Sequence, residues 1–191
     1  MDKINVFIIS PQLLFRQGIE HALSSAEDIE ISGAAEVNEE ALSVIDTSPP
    51  DVALVDIDAP SDSSLKLTRK IKRRFPNAGL VVLSSNPDDA QLFQALKAQA
   101  AAYLSKEINA GELVDIIRRV ARGEHPINES LTTRPKVAEQ VLQQFRELYW
   151  RGEAEGVISP LTAREKDVLN YMAQGYPNKQ ISIRVDGSRL E

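Results

Sequence analysis

Apolar residues cluster in five short runs: Ile4 to Ile9, Ile29 to Ala35, Val52 to Val55, Leu80 to Leu83 and Ala101 to Leu104. Each run is followed by a segment in which apolar positions recur every three or four residues, the spacing of one helix face. These segments are Leu13 to Ser24, Glu39 to Thr47, Ser64 to Phe75, Asp88 to Ala98 and Ala110 to Arg122. Strands that alternate with helices and are apolar at nearly every position predict a parallel sheet covered on both faces. In the last segment Leu113, Ile116, Ile117 and Val120 form one stripe, while Arg118, Arg119 and Arg122 lie elsewhere around the helix. The pattern therefore predicts a doubly wound α/β domain of five parallel strands over residues 1–123.

Punctuation supports those boundaries. Asn109 is placed to cap the fifth helix, Asn86 and Pro87 to open the fourth, and Pro76 with Asn77 to stop the third. Residues 124–158, with Pro126 and Pro135, read as a linker. It is not wholly flexible: Val137, Val141, Leu142, Phe145, Leu148 and Tyr149 follow helical spacing and predict a helix over about 136–150. Its apolar stripe needs cover, from the first domain or from a second chain. Gly152 and Gly156 interrupt before residues 159–184. There Thr162 and Glu165 form a capping box, Gly175 fits a helix end, and Asn178 caps a second short helix with Ile181 and Val185. Two short helices around a tight glycine-containing turn make the start of a helix-turn-helix.

Composition narrows the function classes. With 191 residues, 42% hydrophobic and 26% charged, the chain is long enough for one full domain and a smaller piece. Its apolar runs are far shorter than the ~20 residues of a membrane span, and no signal-like leader opens it, so the expected compartment is the cytoplasm. The absence of cysteine excludes thiolate chemistry and cysteine-bound metal. A net charge of −6 confines any affinity for nucleic acid to a local patch. Between 159 and 184, Arg164, Lys166, Lys179 and Arg184 outnumber Glu165 and Asp167. His21 and His125 have no acidic or metal-spaced partner in sequence and receive no role.

Two stretches carry a family resemblance. Residues 161–182, LTAREKDVLNYMAQGYPNKQIS, resemble the opening of a LuxR-type output domain. Residues 1–123, with LLFRQGIE after the first strand, PPDVALVDIDAP around the third and AAAYLSKE at the fifth, resemble the receiver of the NarL/FixJ subfamily of response regulators. The resemblance implies a flavodoxin-like receiver fold and a phosphoacceptor-equivalent aspartate at Asp56. It also implies a switch hydroxyl at Ser84, a switch aromatic at Tyr103 and a phosphate-pairing lysine at Lys106. The set is chemically coherent, since ligands of open α/β sheets bind beyond the carboxyl ends of the strands. A carboxylate nucleophile, a hydroxyl and a cation suit a phosphoryl group, provided a divalent ion joins them. In the output segment Asn178 and Lys179 are expected to contact the DNA backbone.

The chain departs from the family at three places. Ser10 and Pro11 stand where two metal-binding acids belong, and neither supplies a carboxylate. Mg²⁺ usually takes one or two carboxylates plus phosphate oxygens, so its binding is expected to be weak or absent, and no other cofactor is implied. With fewer acids around it, Asp56 is expected to pair with Lys106. Ser61 and Ser64 replace the usual glycines and suggest a different loop shape. The final VDGSRLE, residues 185–191, resembles a cloning scar, which would leave the output domain cut before its recognition helix.

The resulting expectation is a homodimeric, DNA-binding transcriptional regulator with an atypical receiver, not an enzyme. It would act with a sensor kinase or another protein as partner, and away from membranes. DNA binding is expected of the full-length parent and not of this truncated chain. One alternative is a conventional phospho-activated regulator using Asp56. A remote one is a haloacid-dehalogenase-like phosphatase, because Asp56-Ile57-Asp58 at a strand end resembles that nucleophile motif.

Overall fold

A computed structural model describes residues 3–38, 40–58 and 62–150, together with Tyr171. The chain divides into two compact units, Met1–Ile127 and Asn128–Glu191. The first contains β1 (Ile4–Ile9), α1 (Leu13–Leu23), β2 (Ile29–Ala35), α2 (Glu40–Thr47), β3 (Val52–Asp56), α3 (Asp62–Arg74), β4 (Gly79–Ser84), α4 (Asp89–Lys97), β5 (Ala102–Ser105) and α5 (Ala110–Ala121). A short helix, α6 (Ile127–Leu131), starts at the boundary, and α7 (Pro135–Trp150) belongs to the second unit.

The strands form one parallel sheet in the order β2-β1-β3-β4-β5. Every residue of central β3 is buried, which is why its sequence is continuously apolar until its last position. Strand pleating sends Val6, Ile8, Val52, Leu54, Val81 and Leu83 to one side, where Ile19 and Leu23 of α1 and Leu113, Ile117 and Val120 of α5 cover them. The alternate residues Phe7, Ile9, Ala53, Val55, Leu80 and Val82 are equally buried on the other side. Helices α2, α3 and α4 bring buried Ala41, Ile45, Ile71, Leu92 and Ala95 to the domain. The apolar stripe expected on α5 is present, with Leu113, Ile117 and Val120 buried. The arginines outside it are engaged: Arg118 makes a two-pronged contact with Asp28, and Arg119 and Arg122 reach Glu124.

Two start and stop signals differ from the sequence expectation. Asn109 caps α5 as expected, accepting from the Glu112 amide at 2.9 Å. For α4, however, the cap is Asp88, which accepts from the Gln91 amide at 2.7 Å, and Asn86 and Pro87 lie in the approach. An aspartate side chain reaches the third amide of the helix as well as an asparagine does, and it sits two residues nearer the start. The α6 turn was not anticipated, because five residues are too few to display a period. The linker helix begins at Pro135, a favoured first helical residue, one position before the expected start. In it Val137 and Val141 are buried.

Gly79, the first residue of β4, permits the close approach of α5: a Cβ there would drive into Cγ1 of Val120. Gly79→Ala is therefore expected to destabilise the first unit by about 1–3 kcal/mol, the usual cost of overpacking a filled core. Denaturant titration measures this, and unchanged stability would show that α5 yields freely.

Candidate functional site

Parallel strands all finish on the same edge of their sheet. The registers Ile9↔Val55, Asp56↔Leu83 and Ser84↔Ser105 bring the ends of β1, β3, β4 and β5 side by side. Asp56 and Ser84 are the last residues of their strands rather than the first beyond them, Ser10 follows β1, and Lys106 follows β5. The Lys106 amide donates to the Ser84 carbonyl at 2.9 Å, fixing where its long side chain starts.

The Asp56 carboxylate is fully enclosed. Its Oδ2 accepts from the Lys106 ammonium at 2.7 Å and from the Ser10 hydroxyl at 2.6 Å, and its Oδ1 accepts from the Asp58 amide at 3.0 Å. The side chain has 0% exposure and that of Lys106 only 9%. The pairing of Asp56 with Lys106 expected from sequence is thus present. Charge-assisted bonds of this length are the strong class, and a buried carboxylate needs them.

Lys106 does more than meet Asp56. Its ammonium also lies 3.0 Å from Asp58 Oδ2, so one cation bridges two carboxylates. Phe15 of α1 stacks under it, with the ring centroid 4.5 Å from Nζ. Burial pushes the Asp58 carboxyl up, but hydrogen bonds from Ser85 and Lys106 outweigh that effect and hold it below its usual value. The Ser85 amide is 2.7 Å from Asp58 Oδ2. Beside this pair the Arg16 guanidinium donates to the Ser10 carbonyl, and the Gln12 amide donates to the Ser10 hydroxyl at 3.2 Å. Pro11 is exposed.

Ser84 and Tyr103 are buried, and their hydroxyls bond toward Asp58 and the start of α4. The Ser84 hydroxyl lies 3.2 Å from Asp58 Oδ1 and 2.7 Å from Oε1 of Gln91 on α4. The Tyr103 hydroxyl is 2.9 Å from the same Gln91 oxygen and accepts from the Asp88 amide at 3.1 Å. Gln91, Phe15 and Arg16 were not singled out for this network by sequence reasoning, and Asp58 entered only through the alternatives, beside Asp56. The available signal was positional: Asp58 is two residues past a strand end, and Gln91 is the third helical residue after a capping aspartate. Ser64 is buried within α3 with no partner for its hydroxyl among the described residues, while Ser61 lies outside them. So do Asn178 and Lys179 and the tail 185–191. Among the described residues no three His, Cys, Asp or Glu side chains converge as a metal-ion cluster would require, and no helix is long and apolar enough to cross a membrane.

Comparison with known proteins agrees with this architecture. Residues 6–118 match the response regulator receiver domain, and residues 159–188 match the bacterial regulatory proteins of the luxR family, a match that runs into the 185–191 tail. The transcriptional regulatory protein DegU of Brevibacillus brevis is 31% identical over 94% of this chain and 79% of its own length. The nitrate/nitrite response regulator protein NarL of Escherichia coli K12 is 29% identical over 95% of this chain and 80% of its own. Among solved structures, the signal receiver domain of a response regulator from Mycobacterium tuberculosis superposes with a TM-score of 0.60 at 27% identity, covering 65% of this chain and all of that one. A five-stranded sheet in the order 2-1-3-4-5, an aspartate closing its central strand and a luxR-type segment downstream make this chain a member of the response regulators, of the kind that joins a receiver to a luxR-family regulatory domain.

Proposed function

We propose that the chain is a DNA-binding transcriptional regulator whose receiver is governed without metal-dependent phosphorylation of Asp56. The observation that carries the reading is the Lys106 ammonium, held between Asp56 at 2.7 Å and Asp58 at 3.0 Å. A divalent ion in a receiver would need those oxygens, together with acids after β1. This chain offers a serine hydroxyl, which already donates to Asp56, and a proline. The donor set does not fit Mg²⁺, which demands near-octahedral oxygen ligands and gives up its water reluctantly. Without the ion, the charge neutralisation on which phosphoryl transfer depends is missing.

The protein's own cation takes over the electrostatic task. Two carboxylates so close repel one another, and a buried ammonium between them removes the repulsion without a ligand exchanging with solvent. Regulation then passes through dimerisation or a partner protein, a sensor kinase being one candidate, and not through a metal-dependent switch. DNA is the partner of the luxR-type segment, with Asn178 and Lys179 on the phosphate backbone as its contacts. Incubation with acetyl phosphate and magnesium followed by intact-mass spectrometry tests the reading. No stoichiometric adduct is expected, and a full equivalent of phosphate on Asp56 would overturn it.

The bridge also makes a stability prediction. Lys106→Met leaves two acids facing each other at a buried edge and is expected to cost about 3–5 kcal/mol, the penalty for breaking a buried pair from one side. Adding Asp56→Asn in that background should recover much of the loss. Urea denaturation of the two variants measures both values; a Lys106→Met protein as stable as the parent would mean the ammonium does not compensate the pair.

A further inference from the structure

We infer that Gln91 is the positioning residue of this receiver, the shared acceptor that holds Ser84 and Tyr103 in one arrangement. The two side chains come from different strands, yet both hydroxyls converge on the same Oε1, at 2.7 and 2.9 Å. The direction of each bond follows from what the hydroxyls already accept. The Asn86 amide donates to Ser84 Oγ at 3.1 Å, and the Asp88 amide donates to the Tyr103 hydroxyl at 3.1 Å. Each hydroxyl has one proton left to donate, and an amide oxygen with two lone pairs receives both. Ser84 could spend its proton on Asp58 Oδ1 instead, but that contact is longer, 3.2 Å, and Asp58 is already held by Lys106 and the Ser85 amide.

The backbone N–H of Gln91 is the one that Asp88 caps at 2.7 Å, so the residue that accepts from Ser84 and Tyr103 also belongs to the capped first turn of α4. Ser84 is fully buried and Tyr103 is 7% exposed, so losing the acceptor at this largely desolvated point costs hydrogen-bond energy. The β4 end, the β5 tyrosine and the start of α4 are therefore tied through one side chain. In a receiver working without a phosphoryl group, this tie takes over from the phosphoryl group the task of fixing the hydroxyl and the aromatic. The inference rests on the metal-free reading for that meaning, but its contacts stand independently of it.

Amide hydrogen exchange on the full chain, followed by NMR without magnesium or phosphodonor, tests the role in Gln91→Leu and Gln91→Glu. In the leucine variant, exchange at Asn86 and Asp88 should speed up by roughly tenfold, the factor that one net hydrogen bond is worth. Amides of Val81 and Val82 in β4 should be unchanged. The glutamate variant, which keeps a two-lone-pair acceptor, should exchange as the parent does. Unchanged Asp88 exchange in Gln91→Leu, or failure of glutamate to restore it, would overturn the inference. If the leucine variant does not fold, Ser84→Ala serves instead. It should release the Asn86 amide and leave Asp88, held through Tyr103 and Gln91, as slow as before, while release of both would contradict the shared acceptor. Because no phosphodonor is present, a negative result removes Gln91 and leaves the metal-free reading standing. An acetyl phosphate adduct on Asp56 would do the reverse.

Discussion

A carboxylate at the dry edge of a parallel sheet must find positive charge, and in this receiver it finds it in Lys106. Asp56 ends the most buried strand of the domain, with its side chain entirely out of water. Leaving such a group ionised and unpaired would cost more than a small domain's whole margin of stability. The lysine, the Ser10 hydroxyl and the Asp58 amide supply what is needed from three different chain segments. The strand ends, the first turn of α1 and the turn after β3 are thereby held around one point.

That arrangement gives the departures at Ser10 and Pro11 a coherent physical meaning. Two further acids there would raise the negative charge of the edge and call for a mobile divalent counter-ion. With a serine, the edge carries Asp56 and Asp58 against Lys106, and Arg16 of α1 turns its guanidinium to the Ser10 carbonyl. Phe15 stacks against the lysine from the same helix. Helix α1 thus does two things at once: Ile19 and Leu23 are buried in the core, and Phe15 and Arg16 from its first turn meet the charge cluster.

Much of this was legible in the chain. The apolar runs located all five strands to within a residue or so, most cleanly for β3 and β4, which are buried on both faces and have no polar alternation. Edge β2, in contrast, carries Glu30 and Ser32 and is largely part-exposed. Asp56, Ser84 and Lys106 could be placed at one edge because parallel strands end together. Their hydrogen bonds could not. The Asp56 to Lys106 contact spans 50 residues and the Ser84 to Asp58 contact 26, and no local period encodes a side-chain partner at that separation. Gln91 escaped notice for a related reason: its backbone amide belongs to a cap that sequence assigned two residues too early, so its side chain was not expected at the strand ends.

The central claim is that an internal ammonium occupies the electrostatic role of a metal. Titrating magnesium into the ¹⁵N-labelled chain, while following the amides of Ser10, Asp58, Ser85 and Lys106, tests it most directly. The account predicts shifts that stay small and linear with ionic strength through the millimolar range. A saturable shift shared by these four amides, with a low-millimolar midpoint, would contradict it.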